Sequence, residues 1–344
     1  MIFTYPIFMS FVQRDIEILK SDFDFDFFEF KPIKKSKTPW VFIQQCVFLI
    51  KKTYKADVFL SYFGGYHSFL PALFAYLFNK KHVIIVGGTD AVSFPSIGYG
   101  NFNHKLIGLF TRWSYQLCSV IVPVHKSLEY CDYTYTNDDF KAQGVTYHCK
   151  GLKTKVVNIN NGYRLNIWNN NDQERLKNSF LTVASTFNFS TFKRKGIDVI
   201  IKVAAYFPDC QFTIVGADSD NLLDNISSNV KLVPPVPFHE LENIYNSHQY
   251  YFQLSICEGL PNALCEAMLC GCVPIGSSAM SIPEVIGNSG FVVQERGVEN
   301  TKEIIVNALA CNWSEKSELA RRRIVENYPI EKRIQELKEL MKNL

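Results

Sequence analysis

The sequence opens on a stretch that does not read as a secretory leader. Met1–Phe8 is apolar, but it has no basic start and no small-residue cleavage site, and its run is too short to cross a bilayer. It reads as a first buried strand of a cytoplasmic protein. The chain also lacks a dominant charge: 36 basic against 33 acidic residues leave a net charge of +3. That balance, with no zinc-finger or helix-turn-helix signature, gives no expectation of nucleic acid binding. A disulfide framework is missing too. The ten cysteines are scattered, and the close pair Cys270-Gly271-Cys272 is too tight for a usual zinc site. Without an oxidising destination, they read as reduced, small apolar residues. No metal and no cofactor are expected. G-x-G-x-x-G is absent, and with it the dinucleotide fingerprint. No internal repeat or low-complexity tract interrupts the pattern.

What is present is an ordinary globular balance, 47% hydrophobic and 20% charged over 344 residues, enough for about two domains. Short apolar runs alternate with helical patterns, the signature of an α/β fold. The strand-like runs in the first half are Met1–Phe8, Phe23–Phe30, Asp57–Tyr62, His82–Val86, Val120–Val124 and Lys155–Ile159. In the second half they are Phe180–Ala184, Gln211–Val215, Val230–Val233, Tyr250–Leu254, Val273–Ile275 and Phe291–Val293.

The most informative stretch follows Tyr250–Leu254. It runs Cys257-Glu258-Gly259-Leu260-Pro261-Asn262-Ala263-Leu264-Cys265-Glu266-Ala267-Met268, then Gly271-Cys272-Val273-Pro274. Glu258 falls in the loop that leaves the strand. Glu266 falls about one turn into the next helix, with Pro261 at the helix's first position, where its missing N–H costs nothing. The free N–H groups and positive end of that helix form an anion site. A diphosphate there, with a carboxylate on either side for neutral hydroxyls, suits a sugar nucleotide.

Glu258-x7-Glu266 with Gly259-Leu260-Pro261, Ala267-Met268 and Gly271-Cys272-Val273-Pro274 resembles the retaining glycosyltransferases of family 4, the group 1 glycosyl transferases with the GT-B fold. The resemblance extends over about residues 155–295 and is weak before residue 150. It implies two Rossmann-like doubly wound domains facing a cleft, with ligands at the carboxyl ends of the strands. The family's interdomain linker matches Asn161-Gly162, a strong turn signal. The expected division is 1–162 for the acceptor-side domain, 163–328 for the nucleotide-sugar domain, and 329–344 for a terminal helix that returns to the first domain. Ile330, Ile334, Leu337 and Met341 give that helix its apolar stripe.

The implied activity is retaining, metal-independent transfer of a hexose from a nucleotide-sugar to a glycan or lipid-linked acceptor, in surface polysaccharide assembly (capsule, lipopolysaccharide or exopolysaccharide). The implied roles follow the motif. Glu258 touches the donor sugar hydroxyls and Glu266 the ribose, while Gly259, Leu260, Pro261 and Asn262 line the phosphate and sugar. Lys193-Arg194-Lys195-Gly196 supplies the family's Lys-Gly, so Lys195 neutralises the leaving diphosphate. The family's upstream Arg is replaced here by Ser185-Thr186, and Arg194 is the substitute candidate. Gly216 ends a strand near the nucleotide, and Val236 opens the segment that meets the base. Two rivals stay open: a sugar-nucleotide epimerase on the same fold, and a non-catalytic partner subunit that binds a nucleotide-sugar.

In the first half, Gly64-Gly65-Tyr66-His67 and Gly87-Gly88-Thr89-Asp90 each follow a strand. Glycine there lets the backbone approach a ligand. Gly64, Gly65, His67 and Gly88 are therefore acceptor-side candidates. Asp90 stands where relatives carry a histidine, and orienting an acceptor, bonding the donor sugar and shaping a turn all remain open to it. Asp22-Phe23-Asp24-Phe25-Asp26 alternates with period two, which reads as a strand with one wet face rather than a metal motif. Residues 31–55 hold seven lysines around Trp40–Ile43 and Val47–Ile50, with Thr38-Pro39 as cap and first position of a helix. A basic, aromatic helix of this kind suits contact with an anionic membrane, which would place the protein at its inner face.

Overall fold

The computed structural model describes all residues except 172, 185–188 and 218–225. The chain divides into two compact units. One contains Met1–Cys131, Ala142–Asn160 and Arg333–Leu344; the other contains Asp132–Lys141 and Asn161–Lys332.

The first unit is built on β1 (Ile2–Tyr5), β2 (Asp26–Glu29), β3 (Val58–Tyr62), β4 (Lys81–Val86) and β5 (Val120–Pro123). The two-residue strands β6 (Cys131–Asp132) and β7 (Ala142–Gln143) pair with each other, and β8 (Lys155–Val156) completes the main sheet in the order β2-β1-β3-β4-β5-β8. Every pairing in that sheet is parallel. Parallel strands are covered on both faces and read as continuous apolar runs; β3 is buried at every position. Pro6 follows the end of β1, and β8 is short, although Val157 and Ile159 still donate to the Ile121 and Pro123 carbonyls.

The second unit holds β9 (Leu176–Val183), β10 (Gln211–Val215), β11 (Val230–Val233), β12 (His248–Gln253), β13 (Val273–Ser277) and β14 (Phe291–Val293). Their order is β11-β10-β9-β12-β13-β14, again all parallel. Phe180 stacks on Phe212, Tyr250 and Phe252, so three neighbouring strands share one aromatic layer. Counted in chain order, this is the doubly wound order 3-2-1-4-5-6, whose switch point lies between β9 and β12.

The segment Arg333–Leu344 packs within the first unit. The Arg333 side chain is fully buried and forms a bidentate pair with buried Asp15, at 2.8 Å from Nε to Oδ1 and 2.5 Å from Nη2 to Oδ2. Its Nη1 donates to the Ile159 and Asn160 carbonyls at 3.1 and 3.0 Å. The Tyr62 hydroxyl donates to Asp15 and accepts from Arg333.

Three local expectations are corrected. Pro261 is the N-cap of the helix Asn262–Leu269, not its first residue. Thr38 is already helical, and Pro39 follows inside the first turn of the helix Thr38–Lys52. Of the alternating aspartates, only Asp26 lies in a strand; Asp22 pairs with Lys338 at 2.7 Å and Asp26 with Lys52 at 2.6 Å. All ten cysteines are free, and all but Cys46, Cys131 and Cys311 are buried. Among the described residues no helix is long and apolar enough to cross a membrane, and no cluster of metal-ligating side chains occurs.

Candidate functional site

The second unit gathers its charged side chains at the switch point. After β9 the chain enters the short helix Phe189–Arg194 and then turns at Gly196, whose φ of 72° is the left-handed region that glycine adopts without strain. A Cβ at Gly196 would collide with the Leu254 carbonyl, so glycine also permits close approach to the end of β12. The contact is locked by the Ile256 N–H, which donates to the Arg194 carbonyl at 2.7 Å. These two constraints bring Lys195 to Glu258.

Lys195 Nζ lies 2.6 Å from Glu258 Oε1, and Arg194 Nη1 lies 3.8 Å from the same oxygen. Ser255 Oγ and Gln253 Nε2 add hydrogen bonds to it at 3.0 and 3.1 Å. All these contacts fall on Oε1. The three side chains are only 14–18% exposed, so the pair is screened far less than one on the open surface. Burial alone would raise the Glu258 pKa. The charges of Lys195 and Arg194, with hydrogen bonds from Lys195 and Ser255, outweigh it and hold the carboxyl below its ordinary value.

Gly259, Leu260 and Pro261 are buried, and Asn262 begins the helix with its side-chain carbonyl accepting from the Tyr163 hydroxyl at 2.9 Å. Glu266 is half-buried and accepts from the Tyr245 hydroxyl at 3.3 Å. Both glutamates act on Tyr251: burial foremost, then the charges of Glu266 and Glu258, raise that phenol's pKa. The amides of the helix's first turn have no intrahelical acceptor. Two carboxylates, two cations and a helix N-terminus therefore occupy one end of one sheet.

The remaining donor-side candidates lie as follows. Gly216 has φ 90°, and a side chain there would strike the Ala184 carbonyl, so the close approach of these two strand ends requires glycine. Val236 lies half-buried in the loop between β11 and the turn Phe238–Glu240. Ser185 and Thr186 lie outside the described residues.

In the first unit two of the loop glycines, Gly64 and Gly87, make room for aromatic rings. A Cβ on Gly64 would come within 2.7 Å of the Tyr115 ring, and one on Gly87 would overlap Phe63. Gly65 donates its N–H to Ser68 Oγ at 2.9 Å and caps the helix Tyr66–Leu77. Asp90 does not present a free carboxylate. It is 1% exposed and accepts from the N–H groups of Gly64, Gly87 and Gly88 at 2.8, 3.2 and 3.0 Å, and from the Tyr115 hydroxyl at 2.8 Å. It ties two glycine loops together, which favours the turn-shaping reading over contact with reacting atoms. Burial raises its pKa against those hydrogen bonds. His67 is buried and shares a 2.6 Å hydrogen bond between Nε2 and the Tyr62 carbonyl, and burial lowers its pKa to about 4. One of its ring nitrogens is thus spent on the backbone.

Sequence reasoning missed three supports of the site. Gln253 and Ser255 are polar residues at buried positions where an apolar strand ends, a signal that was available. Tyr133 gave none. It belongs to the segment Asp132–Lys141, which lies far from Glu258 in sequence yet packs within the second unit. Its buried hydroxyl donates to the Ile256 carbonyl at 3.1 Å, so Ile256 is held through both its N–H and its carbonyl. Nearby, Arg296 grips both oxygens of Asp198 at 2.6 Å, and its N–H donates to the Tyr135 carbonyl.

Residues 179–311 match the family model for glycosyl transferases group 1. Among curated protein sequences, none matches the chain. Solved structures match over its whole length. A sucrose-phosphate synthase from Thermosynechococcus elongatus has a TM-score of 0.74 at 12% identity, covering 99% of this chain and 98% of its own. The Anabaena protein HepE, solved with UDP and glucose, has a TM-score of 0.70 at 12% identity, covering 100% and 99%. A glycosyltransferase from Rickettsia africae has a TM-score of 0.69 at 15% identity, covering 99% and 97%. At these identities the likeness establishes the fold: two Rossmann-like parallel-sheet domains of GT-B type.

Proposed function

We propose that this protein is a glycosyltransferase of the GT-B class that transfers a sugar, with retention and without a metal, from a nucleotide-sugar to a glycan or lipid-linked acceptor in surface polysaccharide assembly. The observation that carries the reading is the convergence of Lys195, Arg194 and Glu258 at the switch point, beside the N-terminus of Asn262–Leu269. The family match over residues 179–311 and HepE's complex with UDP and glucose support the same donor class.

An ammonium carries three donors. Lys195 uses one on Glu258 Oε1 and offers the others to phosphate oxygens. As the sugar–phosphate bond breaks, negative charge grows on the departing diphosphate. Lys195, Arg194 and the first-turn amides are fixed in place to receive it, which is stabilisation by preorganised dipoles and charges. Glu258 has a second role beyond anchoring Lys195. Its Oε2 takes none of the contacts above and is the oxygen proposed to accept from a donor sugar hydroxyl. Glu266, on the following helix, is proposed for the ribose hydroxyls. Holding the donor by both ends turns an encounter into a positioned reaction.

The test is product analysis. Nucleotide-sugars with UDP, GDP, ADP and dTDP are incubated with simple sugar and lipid-linked acceptors, with and without a chelator. The reading expects nucleoside diphosphate release only with acceptor present, a product of unchanged anomeric configuration by NMR, and a rate unaffected by chelation. Turnover should fall more than tenfold in Lys195→Ala and Glu258→Gln. Interconversion of the donor without any acceptor, or full activity in both variants, would overturn it.

A further inference from the structure

The helix Thr38–Lys52 has two apolar faces, and only one is used by the fold. Val41, Gln45 and Leu49 are its buried residues, facing the first unit's core. On the opposite side Trp40, Ile43, Val47 and Ile50 are 58, 54, 45 and 66% exposed, and Tyr54 in the turn that follows is 92% exposed. At about 100° per residue, the four positions within the helix fall within an arc of roughly 80° centred opposite the buried face. The outermost ridge of this helix, where solvent-facing helices carry charge, is a continuous aliphatic and aromatic strip.

Charge identifies what the strip meets. Residues 31–55 contain seven lysines and no aspartate or glutamate. Lys31 and Lys52 are paired with Glu29 and Asp26. Lys51 and Lys55 lie on the flank of the strip, and Lys34 and Lys37 precede the helix. Apolar residues with an indole and a phenol on the ridge, lysines beside them and no anion among them match an interface of acyl chains, headgroup carbonyls and anionic phosphates.

We propose that this face docks the protein on an anionic lipid bilayer. The ridge enters the headgroup region with the helix axis parallel to the surface, and the lysines meet lipid phosphates. Docking stands on this surface alone and not on the proposed transfer reaction, so either can fail without the other.

The test is co-sedimentation of the full chain with vesicles of phosphatidylcholine alone or with phosphatidylglycerol. Three forms are compared: wild type, Trp40→Ser/Ile43→Ser/Ile50→Ser, and Lys51→Gln/Lys55→Gln. All substituted positions are exposed, so thermal midpoints should match. The expected result is binding to phosphatidylglycerol vesicles that weakens with salt. Each lysine near the surface contributes roughly fivefold, so the double lysine variant should bind about 25-fold more weakly. The ridge variant should lose binding to both vesicle types. Equal binding by all three forms, or no binding by wild type, overturns the proposal. Absent vesicle binding together with concentration-dependent self-association that the ridge variant abolishes would assign the face to a second copy of the chain.

Discussion

Replacing Arg333 with alanine tests the reasoning about the first unit most sharply. Arg333 and Asp15 both have fully buried side chains. Removing one partner of such a pair leaves an uncompensated charge in a dry site, at a cost of about 3–5 kcal/mol. Asp15 would keep only the Tyr62 hydroxyl, and the Ile159 and Asn160 carbonyls would lose their donor. At roughly 2–4 °C per kcal/mol for a domain of this size, the midpoint should fall by about 6–20 °C. Scanning calorimetry would read it, with urea titration as a second probe. The control is Arg333→Met/Asp15→Leu/Tyr62→Phe, which removes every charge at once. Buried ion pairs exchanged for well-packed apolar groups are often neutral, so this variant should recover most of the loss. A single variant within about 1 kcal/mol of wild type, or a triple variant less stable than the single, would refute the argument.

Further consequences concern the second unit. Gly196→Ala should cost about 1–3 kcal/mol, because alanine is strained at φ 72° and would meet the Leu254 carbonyl; loss of turnover beyond that expected from unfolding would mark displacement of Lys195, and unchanged stability would contradict the close approach. Tyr133 is a positioning residue in this scheme: Tyr133→Phe should lower kcat several-fold with little change in donor KM, and wild-type kinetics would remove it from the account. The lowered pKa of Glu258 fixes the sign of a pH effect. Its ionic contribution is fully present above the unfolded value of about 4.3 and is lost as pH falls through the lower folded value. The stability gap between wild type and Glu258→Gln, from urea titrations at pH 7 down to pH 3, should therefore narrow on acidification; a gap that widens would contradict the ion pair.

Much of the fold was legible because parallel strands are buried on both faces. Every expected strand has its counterpart, with ends shifted where the chain does something local. β9 begins at Leu176, four residues before its apolar run, because Asn178 takes φ 52° and the pairing with β12 shifts register at His248. Polar residues at that irregularity hide the strand's start. The site motif was legible since its residues are close in sequence, and Lys195 could be paired with it only through a family resemblance. Long-range consequences were not legible. Arg333 sits at a core position between Ile330 and Leu337, where periodicity alone calls for an apolar side chain, and only the buried Asp15 explains it. Two of the glycines after β3 and β4, Gly64 and Gly87, leave space that Tyr115 and Phe63 fill, which no sequence pattern announces. The second apolar face of Thr38–Lys52 was masked because a sequence pattern does not say which of two apolar stripes the core will take.

The central claim is that the cationic pair Arg194–Lys195, held by Glu258, is a nucleotide-sugar site. Isothermal calorimetry of UDP, GDP, ADP and dTDP and their sugar conjugates, with wild type and Lys195→Ala side by side, addresses it directly. The account expects at least one nucleoside diphosphate to bind, and the variant, folded to the same midpoint, to bind it more than tenfold more weakly. No binding by folded wild type, or equal affinity in the variant, would contradict it.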